Sequence, residues 1–258
     1  LASVARTDAR LLAPLPPSVA PEEACTVPTT WSTVHAAMLC SMPRAKSQLL
    51  FHAGAGGVGL AAPEYAHWLG STVYASVGRP HKHFHLRALG LGQRTFASRD
   101  GAAFAVGASE RLRAARIHGV LNSLSFDFLS VTFALLGECG CFSEIGKRGV
   151  FSQQRHAVVA PSVQYDVLAL DTTIEEAPWW MNRVLRKLAT RLTSGVAHGL
   201  PLRAFPMERG TLAAFRCLQG GANIGKVVVV VPHSAATAVA PRESHLITGG
   251  TGGPGLLN

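Results

Sequence analysis

Short apolar runs closed by glycine or a small polar residue alternate along this chain with stretches in which apolar residues return every three or four positions. Strands buried on both faces and amphipathic helices leave these two patterns. Leu49, Leu50 and Phe51 form the first such run, and Leu60 to Leu69 is helical in pattern with Pro63 inside it. An interior proline removes a backbone hydrogen bond and clashes with the preceding turn at about 3 kcal/mol, so a kink is expected there. Thr72 to Ser76, Gly119 to Asn122 and Gly140 to Ile145 read as strands, Phe128 to Leu136 as a helix, and Gln164 to Leu170 as a strand ending on Asp171. Pro178 to Ser194 is an amphipathic helix: Trp180, Val184, Leu188 and Leu192 share one face, and Arg183, Arg186, Lys187 and Arg191 lie elsewhere. Leu202 to Phe205, Leu212 to Leu218 and Lys226 to Val231 read as strand, helix and strand.

The repetition predicts an α/β protein with a Rossmann-type, doubly wound parallel sheet. Residues 1–30, with Pro14, Pro16, Pro17, Pro21 and Pro28, form an expected connector around a turn at Glu22-Glu23-Ala24, and Trp31 to Leu39 a helix feeding the first strand. Residues 31–172 are then the sheet domain, 173–232 a C-terminal helix with a strand–helix–strand return, and 233–258 a linker with a second strand and glycine loop, His245 to Gly255. The 258 residues suffice for a sizeable core, and no uncharged apolar run approaches the roughly 20 residues that span a bilayer. Lys and Arg number 24 against 15 Asp and Glu, a net charge of +9, but they are spread without a run. That distribution points away from nucleic acid and toward anionic small molecules or an acidic protein partner. The five cysteines show neither a C-x-x-C pair nor disulfide-framework spacing, as in a reducing compartment.

Gly54-x-Gly56-x-x-Gly59 joins the first strand to its helix. Such a turn suits a pyrophosphate: glycine admits backbone angles closed to other residues, lets a phosphate approach, and the helix N-terminus offers N–H groups and a positive dipole end. A glycine-rich loop in any parallel sheet meets the spacing equally well. After the next strand come Ser76, Gly78, Arg79 and Lys82, with no carboxylate between Glu64 and Asp100. NAD sites place an acid there on the ribose hydroxyls, so this strand end favours NADP(H). His81 and His85 would share a helix face, yet no acid or cysteine completes a metal shell around them and His83. Strand ends form the ligand crevice of such sheets, which puts Asn122-Ser123-Leu124 and Gly146-Lys147 either at the chemistry or in plain turns.

Taken in order, EEACTVPTTWST (Glu22 to Thr33), HAGAGGVGLAA (His52 to Ala62), VLNSL (Val120 to Leu124), FSEIGK (Phe142 to Lys147) and AAFRCLQGGANIGKVVV (Ala213 to Val229) resemble the enoyl reductase domain of modular polyketide synthases and animal-type fatty acid synthases, within the medium-chain dehydrogenase/reductase family. LITGGTGGPG (Leu246 to Gly255) resembles the start of the ketoreductase domain that follows in cis. The resemblance implies NADPH-dependent reduction of a trans-2-enoyl thioester carried on acyl carrier protein, in a cytoplasmic synthase. It implies Lys147 as the active-site cation and Asp171 as its partner acid. Gly54, Gly56, Gly57, Val58 and Gly59 are then expected on the pyrophosphate, Ser76, Arg79 and Lys82 at the 2′-phosphate, and Thr33, Asn122, Leu124, Gly225 and Lys226 near the nicotinamide. The family's GroES-like substrate domain is expected to precede Leu1 and to be largely missing, so that the isolated chain turns over poorly. His35, Ala36, Pro63, Asn223 and Pro254 depart from the family pattern. A stand-alone quinone or enone oxidoreductase, or a non-catalytic remnant inside a synthase, are the alternatives. A further expectation is that the basic face of the Pro178 to Ser194 helix docks an acidic carrier protein.

Overall fold

A computed structural model describes residues 6–113, 115–124 and 127–232. The expected linker and second glycine loop, His233 onward, lie outside the described residues. The chain forms two compact units, one of Thr33–Ala169 and the other of the described residues within Leu1–Ser32 and Leu170–Asn258.

The first helices, α1 (Pro21–Ala24) and α2 (Pro28–Ser41), each begin on a proline, whose fixed φ suits a first helical position. The Thr33–Ala169 unit then runs β1 (Gln48–Phe51), α3 (Gly57–Trp68), β2 (Thr72–Val77), α4 (Pro80–Leu86), β3 (Thr95–Ala97), α5 (Gly101–Leu112), β4 (Ile117–Asn122), α6 (Asp127–Leu135), β5 (Leu136–Glu144), α7 (Gln153–Val159) and β6 (Gln164–Val167). All six strands are parallel, in the order β3-β2-β1-β4-β5-β6. Leu49, Leu50 and Phe51 are at most 1% exposed, as a central strand covered on both faces requires. Phe142 of β5 is fully buried and stacks on Phe133 of α6 with ring centroids 4.5 Å apart. Strand order reverses between β1 and β4, so their C-terminal ends open the crevice where ligands bind in such sheets.

One expectation is corrected here, and one element holds despite its proline. Helix α3 runs on through Pro63 without ending there. Leu60, Ala61, Ala62 and Ala66 are buried on both sides of the proline, and this packing against the sheet outweighs one lost hydrogen bond. The strand expected to reach Leu170 stops at Val167, because β5, its only neighbour among the described residues, ends at Glu144 opposite that residue. Leu170 and Asp171 instead open a helix, α8 (Leu170–Glu176).

In the other unit α8 is followed by α9 (Pro178–Thr193), β7 (Leu202–Pro206), α10 (Met207–Gly220) and β8 (Lys226–Val230), with β7 and β8 paired in parallel. Helix α9 buries Met181, Val184 and Leu188 and exposes Arg183, Arg186 and Lys187. Its Asn182 Nδ2 donates to the Leu12 carbonyl over 2.8 Å. The start of α2 is tied to the approach to β7, where the Leu200 N–H donates to Thr26 Oγ1 over 3.0 Å. Among the described residues no helix is long and apolar enough to cross a membrane.

Candidate active site

The loop between β1 and α3 is folded tightly on itself. The Gly54 N–H donates to the Ser76 carbonyl and the Gly56 N–H to the Ala53 carbonyl, each over 2.8 Å. None of Gly54, Gly56, Gly57 and Gly59 has a positive φ; the left-handed residue is Ala53, at φ 52°. The expectation that these glycines serve unusual backbone angles is therefore corrected: what they supply is space. A Cβ on Gly54 would lie 2.7 Å from Ala75 Cβ, and one on Gly59 would lie 2.5 Å from the Ala53 oxygen and 2.6 Å from Gly54 Cα. The N–H groups of Gly57, Val58 and Gly59, in the first turn of α3, have no acceptor within the helix and form its positive end.

Beneath the loop His52 is 4% exposed, with Nδ1 2.8 Å from Ser76 Oγ and Nε2 3.0 Å from Thr132 Oγ1. Ser76, expected beside a phosphate, is fully buried with its hydroxyl turned to this imidazole. Burial lowers the His52 pKa from 6.5 to about 3. The folded chain thus holds fewer protons than the unfolded one between those values, and this residue's stabilising contribution is complete above pH 6.5 and lost as pH falls toward 3. Replacing His52 with Asn should remove that one-proton slope from a plot of urea midpoint against pH; an unchanged acid limb would contradict the assignment.

At the end of β2, Arg79 precedes α4 in an extended conformation, and Lys82 lies half-buried in its first turn. The Lys82 ammonium has a lowered pKa, chiefly through burial and further through the charges of Arg79 and Arg99. Arg99 follows β3, and its Nε lies 2.8 Å from where a Cβ on Gly78 would stand, so Gly78 makes room for it. Three cations thus converge beside the glycine loop's neighbouring strand end, an arrangement that invites a polyanion. Arg99 was not foreseen. Its signal is β3 itself, a parallel partner of β2 only three residues long and too short to read by periodicity.

The ends of β4 and β5 are joined by a buried polar network. Asn122 and Glu144 are fully buried. Asn122 Nδ2 donates to the Leu124 carbonyl over 2.7 Å and to Glu144 Oε2 over 2.6 Å, and the Leu124 N–H donates to Asn122 Oδ1 over 3.1 Å. Glu144 Oε1 accepts the Gly146 N–H over 2.6 Å. Burial raises the Glu144 pKa from 4.5 to about 7, against the opposing pull of these hydrogen bonds. Lys147 follows on the exposed bend after Gly146. The structure thus brings Asn122, Leu124 and the turn carrying Lys147 to adjoining strand ends. Glu144, which links them, was also not foreseen; the available signal was a lone acid closing an apolar strand.

The remaining candidates are more dispersed. Thr33 is buried in α2. Asp171, expected at a strand end, sits in the first turn of α8. Gly225 and Lys226 belong to the second unit, at the start of β8. Gly225 has φ +68°, and a Cβ there would collide with the Pro201 carbonyl. Burial lowers the pKa of Lys226.

No protein-family model matches the chain. It is 35% identical over 251 residues to polyketide synthase GfsB of Streptomyces halstedii, covering 97% of this chain and 4% of that protein. It is likewise 35% identical over 258 residues to erythronolide synthase EryA2 of Saccharopolyspora erythraea, covering 99% of this chain and 7% of that protein. The chain therefore spans under a tenth of the length of these two synthases. The crystal structure of CurK enoyl reductase superposes with a TM-score of 0.80 at 30% identity, over 88% of this chain and 67% of that one. With the six-stranded order, the glycine loop and the β4–β5 strand ends all in place, the chain belongs to the enoyl reductase family of polyketide synthases.

Proposed function

We propose that this chain is the cofactor-binding segment of an enoyl reductase that reduces trans-2-enoyl thioesters on acyl carrier protein with NADPH. The observation that carries the cofactor choice is the convergence of Arg79, Lys82 and Arg99 at the ends of β2 and β3. A 2′-phosphate offers the dianion that such a cluster suits, whereas a ribose hydroxyl would call for an acid. The glycine loop suits the rest of the dinucleotide: the close packing that Gly54 and Gly59 permit holds the loop against the start of α3, whose first-turn N–H groups would receive a pyrophosphate.

When bound, NADPH supplies the hydride that adds to the β-carbon of the enoyl group. Lys147 holds the negative charge that gathers on the thioester oxygen and offers its ammonium proton toward the α-carbon. Asn122 and Leu124, at the tip of β4, would hold the nicotinamide end of the cofactor, as the family resemblance implies. Thr33, Gly225 and Lys226 are carried as further neighbours by the family resemblance alone, as is Asp171 as the lysine's partner acid. The carrier-bound substrate and the other synthase domains, a ketoreductase in cis among them, are the partners proposed.

Titration of NADPH fluorescence tests the cofactor assignment. Each charge-assisted contact to a phosphate is worth about 1.5–3 kcal/mol, so Lys82→Ala and Arg99→Ala should each weaken NADPH binding by about ten- to 150-fold and leave NADH binding within about twofold. Equal losses for both nucleotides would remove the 2′-phosphate from the proposal. Turnover of quinones but not of crotonyl thioesters would favour the quinone reductase alternative.

A further inference from the structure

The Asn122–Glu144–Gly146 network makes Glu144 an acceptor through both of its carboxylate oxygens. Asn122 cannot turn its amide over, because Oδ1 receives the Leu124 N–H while Nδ2 donates to the Leu124 carbonyl. Its remaining proton therefore points at Glu144 Oε2, and the Gly146 N–H points at Oε1. Each carboxylate oxygen accepts from a fixed N–H donor, which favours the ionised form, while burial favours the protonated one. Glu144 is also the residue at which the sheet ladder closes: it lies opposite Asn122 on β4 and Val167 on β6, and its carbonyl accepts the Leu168 N–H. A Cβ at Gly146 would lie 2.7 Å from Glu144 Oε1, so the carboxylate fills the space under the turn that leads to Lys147.

Resting on the assignment of Lys147 above, we infer that Glu144 is a positioning residue, whose ionised carboxylate fixes the Lys147 turn against the Asn122–Leu124 strand end and so sets the rate of reduction. The groups it meets directly, Asn122 and Gly146, are uncharged. On β6 the neighbouring titratable groups are Tyr165, whose phenol is raised by burial first and then by the charge of Glu144, and Asp166, whose carboxylate accepts from Gln164. Lys147 and Arg148 follow on the exposed bend. A carboxyl raised from 4.5 to about 7 binds its proton more tightly in the folded chain, so stability falls as pH rises through that window. The fold thus gives up stability to bury an acid that is about half ionised near pH 7, and shifts of this kind cluster at functional sites.

The test follows NADPH oxidation by the synthase carrying this chain, with crotonyl thioester, between pH 5.5 and 9. Wild-type kcat should fall as pH drops through about 7, as Glu144 takes up its proton. In Glu144→Gln an amide N–H₂ must face a donor; kcat should drop by about tenfold or more, since small misplacements of a reacting group are that costly. The limb near pH 7 should disappear, with NADPH dissociation by fluorescence kept within about threefold. Glu144→Asp retains a carboxylate too short to reach both donors, so it should lower kcat and keep a limb. Wild-type kcat in Glu144→Gln, or an unmoved limb, together with slow reduction in Lys147→Ala, overturns this inference alone. Full activity in Lys147→Ala overturns the lysine assignment and this inference with it.

Discussion

Alanine at position 59 is expected to weaken NADPH binding by about five- to 150-fold and to lower the thermal midpoint of the chain. Many dinucleotide folds accept alanine at the third glycine of this loop. Here the added methyl would stand 2.5 Å from the Ala53 oxygen, 2.6 Å from Gly54 Cα and 2.8 Å from the Gly54 carbonyl carbon. All three are backbone atoms of the loop, so no rotamer change relieves the clash. The loop must lift from α3, breaking the 2.8 Å bond from Gly56 to Ala53 or the one from Gly54 to Ser76. Overpacking of this kind costs about 1–3 kcal/mol, which corresponds to the stated range in a binding constant. The strain divides between lost affinity and lost stability, so a fluorescence titration and a thermal melt should be run together. Wild-type values in both would mean that the loop has slack that the geometry denies.

Replacing Lys147 with alanine should slow enoyl reduction by about 10²–10³-fold, the usual effect of removing one donor to a developing oxyanion. The NADPH dissociation constant should stay within about twofold. Lys147 stands on the bend after β5, two strands from the glycine loop that begins at the end of β1, and the phosphate-side cations lie on the far side of that loop at β2 and β3. A charge lost at one edge of the crevice is felt little at the other, since screening acts over about 10 Å in ordinary buffer. A loss of kcat with KM for the thioester preserved identifies an interaction made in the transition state. If KM rises and kcat is kept, the lysine serves binding, and the enolate must be held by another group.

Much of the central sheet was legible in the residues. Leu49 to Phe51, Thr72 to Ser76 and Gly119 to Asn122 form strands within about two residues of their expected bounds, because central parallel strands need uninterrupted apolar side chains on both faces. Edge elements were harder. β3 is three residues long, and β6 has Gln164 and Val167 exposed, so neither leaves a distinct period. The extension of β6 to Asp171 followed from pattern alone and failed because a strand needs a neighbour to bond. Pro63 shows a related limit: its local penalty is visible in sequence, and the burial of Ala62 and Ala66 that keeps the helix going past it is not.

For the site, sequence by itself determined the glycine spacing, the missing carboxylate after β2, and lysine and asparagine at strand ends, since each is a matter of residue type at a short separation. Tertiary structure alone decided why the glycines are required, because a close approach between Gly59 and Gly54 depends on how the loop folds and not on any single residue's preference. It alone brought Arg99 to Lys82, from a separate strand, and it alone set Glu144 between Asn122 and Gly146. Both joins are made by parallel pairing, which places residues about 20 apart in the chain at the same end of the sheet. Pairing of that kind is fixed by the packing of whole strands, so no local spacing announces it.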